Sequence, residues 1–329
     1  MATVGALETR VRECINRPRV HHALYSNDLK GFFVVCSALD AIGDTTLAID
    51  AYRGLQEAAS HGERYLRLYG LLQAFFIQQD AAQHILETLD LTCTESKDDL
   101  FYVREIRNSA IGHPTRREAR PKKNIPQTSH VIARNSMGQN GFMLMSNAES
   151  GQTEMTGVAI AELIDKQERG IAGILRAALE HLQAREEEHR MKYKDKKLAA
   201  LFPATIDYYF EKLFEGCRRE DSKEFTSIHV DLLNDILVAF RAALTERGII
   251  PAYSHVAHDV EDAEYPLAEY KKYIDGDPAS TLNGKSSRIF VFFLQHQFGV
   301  LLKYAQEFDE EYMEPVKTSV AGSSAQSPY

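Results

Sequence analysis

The residues Arg107-Asn108-Ser109-Ala110-Ile111-Gly112-His113 combine two groups suited to phosphate chemistry at a short, fixed separation. Arginine offers a permanent planar cation that matches the oxygens of a phosphate, and histidine exchanges protons near neutral pH. Cleaving RNA through its own 2′-hydroxyl requires one group to move a proton and another to hold charge on phosphorus. On an unbroken helix, residues six apart point about 240° round the axis from each other and diverge. Gly112 is expected to take the left-handed position that ends the helix, and Pro114 bars helical geometry at His113. The break frees His113 to turn back beside Arg107, with Asn108 within hydrogen-bonding reach.

Charge around this stretch points the same way. Between Arg104 and Lys123 stand Arg104, Arg107, Arg116, Arg117, Arg120, Lys122 and Lys123 against Glu105 and Glu118, a local net of +5, while the whole chain of 329 residues carries −9. That balance excludes a broad cationic coat for nucleic acid and confines phosphate binding to the window. Arg104, Arg116, Arg117, Arg120, Lys122 and Lys123 are therefore the candidate RNA contacts. The alternative is a solvated, charge-rich loop.

The elements that must position these residues read as helices. Asp44 is placed to cap a helix over 45–56, and Leu68, Leu72, Phe75, Gln79, Ala82, Leu86 and Leu89 recur at steps of three and four in a long helix over 65–89. Gln79 interrupts that apolar seam with Gln78 and Asp80 beside it, which predicts either an inter-helix hydrogen-bond network or a part in a site. Ser96 is placed to cap a third helix that carries Leu100, Val103 and Ala110 up to the Arg107 motif. Alternation around Met137-Gly138-Gln139-Asn140-Gly141 predicts a β-hairpin near 129–147. Helix resumes from Ala159 to about Lys197, and a second helical unit includes 206–214, 228–244 and 288–304 around a polar stretch from Pro251 to Pro278. The small, polar residues at the end predict a disordered tail over 315–329.

Other motifs carry less. Gly284-Lys285-Ser286 matches the end of a phosphate-binding loop, but Ala279 stands where that loop needs glycine. His255, His258 and Asp259, followed by Glu261, Asp262 and Glu264, read as a solvated acidic loop between Pro251 and Pro266. No metal site is expected there. No nucleophile elbow is present. Cys14, Cys36, Cys93 and Cys217 are widely spaced and read as reduced thiols. The apolar runs are interrupted or short, and the first residues lack the pattern of a secretory signal, so the expectation is a cytoplasmic protein with no membrane span.

At Arg107-Asn108 and His113 the chain resembles the HEPN family, whose signature is arginine followed after four to six residues by histidine, commonly with a polar residue directly after the arginine. Five residues intervene here. The family also sets its motif at the end of a helix that follows earlier long helices, and Gln78-Gln79-Asp80 falls where many members carry a polar or acidic residue. The resemblance covers about 27–185; the hairpin departs from the minimal bundle, and the chain after about 200 is not covered.

The sequence pattern predicts an all-α protein with a C-terminal helical domain over 198–314 and the tail, and the resemblance implies that 27–197 forms an antiparallel HEPN-like bundle carrying the inserted β-hairpin. It further implies an endoribonuclease that needs no metal or other cofactor, often a toxin or defence effector, working as a homodimer with the two motifs facing each other. Arg107, Asn108 and His113 would be catalytic, supported by Gln79 and Asp80. RNA is the expected partner, and an antitoxin or other protein partner is admitted. The competing reading is a non-catalytic nucleotide- or protein-binding scaffold in which Arg107 and His113 only hold the helix end.

Overall fold

A computed structural model describes residues 2–58, 60–94, 97–112, 114–115, 128–148 and 150–313. It is mostly helical, with one small antiparallel sheet, and the chain groups into two compact units, one holding residues up to 17 and 24–182, the other 18–23 and 183 onward. In chain order the first helices are α1 (Val4–Ile15), α2 (Pro18–Asn27), α3 (Leu29–Arg53), α4 (His61–Thr88) and α5 (Lys97–Arg107). A single π-helical turn, Asn108–Gly112, continues α5.

In the first unit α3 and α4 form an antiparallel pair: Gly31 lies against Thr88 at one end, and Thr46 meets Gln78 further along. Each start has a local cause. Asp28 accepts from the amide of Gly31 at 2.9 Å to open α3, and Ser60 accepts from Glu63 at 3.2 Å to open α4 in the spacing of a capping box. The expected helix start at Asp44 is corrected. Asp44 lies exposed in the middle of α3, because the apolar run Gly31–Ile42 is itself helical and buries Val35, Leu39 and Ile42. α3 is also long and apolar enough, by length and composition, to cross a membrane, which amends the expectation drawn from its interrupted runs. The proposed cap Ser96 lies outside the described residues, as do His113, Arg116, Arg117, Arg120, Lys122, Lys123 and the tail from 314.

Three strands follow: β1 (Thr128–Ile132), β2 (Gly141–Ala148) and β3 (Thr153–Ala159), paired in that order. The hairpin expectation accounts for the first two and misses the third. β3 reads Thr-Glu-Met-Thr-Gly-Val-Ala and buries only Val158, so an edge strand with one core residue offers almost no alternation to detect. Ile132, Phe142, Leu144 and Val158 join Leu72, Phe75, Val103 and Ile164 in one core. α6 (Ile160–Tyr193) leaves the sheet directly, and the division between the units falls within it.

The second unit contains α7 (Ile206–Gly216), α8 (Lys223–Glu246), the short α9 (Ile249–Ala252), α10 (Ser254–Ile274) and α11 (Gly284–Met313). Its core gathers Phe210, Val230, Phe240, Val260, Leu267, Tyr270 and Phe298. The acidic loop expected between Pro251 and Pro266 is instead most of α10. Val256, Val260, Ala263 and Leu267 recur at helical spacing and are buried, while the exposed Glu261 and Asp262 and the half-buried Asp259 and Glu264 between them mask the period. Pro266 is accommodated inside this helix. Asp259 accepts from Gln297 and Tyr304, and no metal-like cluster occurs among the described residues. At Gly284-Lys285-Ser286, the amides of Lys285 and Ser286 both donate to Asn283 Oδ1, at 2.9 and 3.0 Å, so the donors a phosphate would use are taken.

Candidate functional site

One face of α4 meets one face of α5. Gln73, Phe76 and Asp80 follow the helical spacing of three and four, and opposite them stand Leu100, Arg104 and Arg107 at four and three. The guanidinium carbons of Arg104 and Arg107 lie 4.9 and 4.2 Å from the centre of the single Phe76 ring. Two cations are thereby drawn to one aromatic surface.

Arg107 donates from Nη2 to Gln73 Oε1 at 3.0 Å and from Nη1 to Asn108 Oδ1 at 3.1 Å. Its Nε is buried with no hydrogen-bond partner. Burial lowers the pKa of this arginine from its ordinary value, the charge of Arg104 lowers it further, and Asp80 partly offsets both. An anion arriving at Arg107 would relieve that strain between like charges.

The backbone after Arg107 departs from expectation in an informative way. Gly112 is not left-handed, since Gly151, Gly248 and Gly276 are the glycines with positive φ among the described residues. Instead the helix widens into the π-turn, and Gly112 faces the Arg107 side chain. A Cβ there would lie 2.8 Å from Arg107 Nη1 and 3.2 Å from Asn108 Oδ1. Glycine is needed at this position for close approach, and the π-turn is a local distortion of the kind that collects at functional sites. Beyond it, the carbonyl of Pro114 accepts from the backbone N–H of His130 at 2.6 Å, so β1 fixes the chain directly after the motif.

The polar triplet on α4 divides its work. Gln78 and Gln79 are 1% and 5% exposed, and both reach Gln167 of α6, which is 0% exposed. Gln167 Nε2 donates to Gln78 Oε1 at 2.9 Å, while its Oε1 accepts from Gln79 Nε2 at 2.8 Å. Gln78 continues to Thr46 Oγ1 at 3.1 Å, and Gln79 Oε1 accepts from Arg104 Nε at 2.9 Å. Asp80 accepts from Arg104 Nη2. Of the two outcomes left open by the sequence, the inter-helix network is realised, and its outer end is Arg104. Gln79 and Asp80 therefore touch Arg104 directly and Arg107 only through it.

Sequence reasoning missed Gln73, Phe76, Gln167 and His130. Gln167 gave the same signal as Gln79, an amide within an apolar stripe, here between Ile164 and Ile171. His130 is 7% exposed beside Pro114, with its ring nitrogens 2.9 Å from Thr128 Oγ1 and from Ser146 Oγ. Nothing in its spacing marked it.

No family model, curated protein or solved structure matches this chain, so the site stands on its own geometry.

Proposed function

We propose that the first unit is an endoribonuclease of HEPN type that cuts RNA through Arg107, Asn108 and His113 without a metal ion. The observation that carries this reading is the placement of Arg107. Its guanidinium is held by two neutral amides, pressed beside a second cation and closed over by a glycine, and the chain then runs at once into His113. A neutral clamp leaves the positive charge uncompensated for a phosphate.

In this reading one histidine takes the proton of a ribose 2′-hydroxyl, and the 2′-oxygen attacks phosphorus. The bond from phosphorus to the 5′-oxygen breaks and that oxygen receives a proton, leaving a 2′,3′-cyclic phosphate and a 5′-hydroxyl. Arg107 stabilises the charge gathered on the phosphate oxygens, and Asn108 holds Arg107 in line. One histidine per chain cannot serve as base and acid in the same turnover, so the motifs of two chains act together in a homodimer. RNA is the substrate class, and a role as a toxin or defence effector, with an antitoxin or other restraining partner, belongs to the same proposal.

The test is incubation of purified protein with total RNA, with and without EDTA, alongside Arg107→Ala and His113→Ala. Cleavage that survives EDTA, leaves cyclic phosphate ends and falls on the order of 100-fold or more in each variant is expected. RNA left intact by the wild-type chain overturns the proposal. A specific observation favours the alternative of a non-catalytic binding scaffold: both terminal nitrogens of Arg107 already have protein partners, as a residue that merely holds a helix end would.

A further inference from the structure

A cleft of about 330 Å³ opens one helical turn from Arg107, lined by the polar groups of Arg104, Asp80 and Lys97 and by the apolar side chains of Leu86, Leu100 and Ile174. Its volume lies within the range of small-molecule sites, roughly 300–1,000 Å³. We infer that this cleft holds a purine base of the RNA, next to the phosphate at Arg107; the inference rests on the ribonuclease reading of that site.

The polar wall distinguishes a base from a phosphate. Arg104 spends Nε on Gln79 and Nη2 on Asp80, which leaves Nη1 as a donor without a partner among the described residues. Asp80 accepts through Oδ1, and its Oδ2 likewise has no partner there. The wall therefore shows a fixed donor beside a fixed acceptor. A phosphate presents acceptors only and would be repelled by the Asp80 carboxylate. A purine edge presents both: N7 beside the amino group of adenine, or O6 beside N1–H of guanine. Arg107, whose hydrogen-bond partners are neutral, shows the opposite preference.

The position of the donor is not left to a mobile side chain. Arg104 is tied through Gln79 to the buried amide of Gln167 and stacked on Phe76, so its orientation is set by three helices before any ligand arrives. Leu86, Leu100 and Ile174 offer apolar contact to the face of a base, and a purine has more such area to bury than a pyrimidine does. Because Arg104 and Arg107 share the Phe76 ring, cleft and phosphate site lie within the reach of one nucleotide.

Titration of the chain with the four ribonucleoside 3′-monophosphates and with inorganic phosphate, followed by NMR, tests this. Adenosine and guanosine monophosphates are expected to bind at least 10-fold more tightly than the two pyrimidine nucleotides. Arg104→Ala removes a structural contact as well, so the deciding variant is Gln83→Trp, on an exposed position that lines the cleft and lies outside the glutamine network. Gln83→Trp should abolish the purine preference while binding of inorganic phosphate persists. Equal binding of all four nucleotides, or a purine preference that survives Gln83→Trp, overturns the inference. If RNA is cut in a His113-dependent manner while the four nucleotides bind alike, only the cleft assignment falls. If the purine preference appears and is lost in Gln83→Trp but no RNA is cut, the ribonuclease reading falls and the purine site stands.

Discussion

Gly112 and the guanidinium of Arg107 occupy adjoining space: a single added methyl at 112 would sit 2.8 Å from Nη1. The atom it meets is the far end of a flexible side chain, so the fold has an inexpensive escape and the site does not. Gly112→Ala is expected to leave stability unchanged or raised by up to about 1 kcal/mol, as alanine replaces glycine in helical backbone. Cleavage should fall on the order of 100-fold as Arg107 is displaced. Urea melts and single-turnover cleavage on the same preparation separate the two, and a variant with full activity would show that the placement of Arg107 is immaterial.

Gln167→Leu should be costly although leucine is close in size. It leaves Gln78 Oε1 and Gln79 Nε2 each short of a partner inside the first unit. A buried group stranded in this way costs about 1–3 kcal/mol, so a loss of roughly 2–4 kcal/mol is expected. The measurement is a lower denaturant midpoint with an unchanged slope. A loss under about 0.5 kcal/mol would mean that the network is ornamental.

Acid should weaken the second unit through His189. Arg19 Nη1, which can only donate, lies 2.6 Å from His189 Nδ1, so that nitrogen accepts, and Nε2–H donates to the carbonyl of Arg247 at 3.2 Å. The ring is therefore neutral in the fold. Burial lowers its pKa below the ordinary 6.5, with the charge of Arg19 adding to the shift and the Arg247 carbonyl and Glu186 opposing it. As pH falls through 6.5 the unfolded ring takes up its proton first, the unfolded state binds more protons, and stability declines toward the lowered value. Above that window the residue contributes no slope. His189→Gln keeps an acceptor and a donor without a titrating group, and its stability should vary less between about pH 7 and 5. Equal slopes in the two proteins would refute the assignment.

Self-association is the fourth expectation. Sedimentation at micromolar concentration should show a species of twice the 37.1 kDa chain mass, and specific activity should rise with protein concentration over the same range. A chain that sediments only at 37.1 kDa while cutting RNA would remove the shared-histidine mechanism.

What the sequence disclosed depended on whether the signal was local. The α4 stripe and the interruption at Gln78 and Gln79 lie within one helix, and their spacing was sufficient to anticipate a polar network. Its keystone was harder to see, since Gln167 is 88 residues from Gln79 and only the folded chain joins them. Caps misled where an acidic residue had a second use: Asp44 has the chemistry of a helix start but lies on the outer face of a longer helix. In α10 dense surface charge, with Pro266 inside the helix and Pro251 shortly before it, outweighed a regular apolar period. At Gly112 the residue type was informative and the reason differed, with freedom from a side chain mattering more than backbone handedness.

The run from Thr46 through Gln78, Gln167 and Gln79 to Arg104 also bears on descent. None of these residues can change alone without stranding a neighbour, so the five positions should pass between generations as a block. A homologous chain with an aliphatic side chain at 167 is expected to have surrendered the amides at 78 and 79 as well, and with them the hold on Arg104. A lineage that keeps the amides is expected to keep a fixed cation beside Arg107, and one that exchanges them for hydrocarbon to gain an ordinary core and lose the means of orienting Arg104.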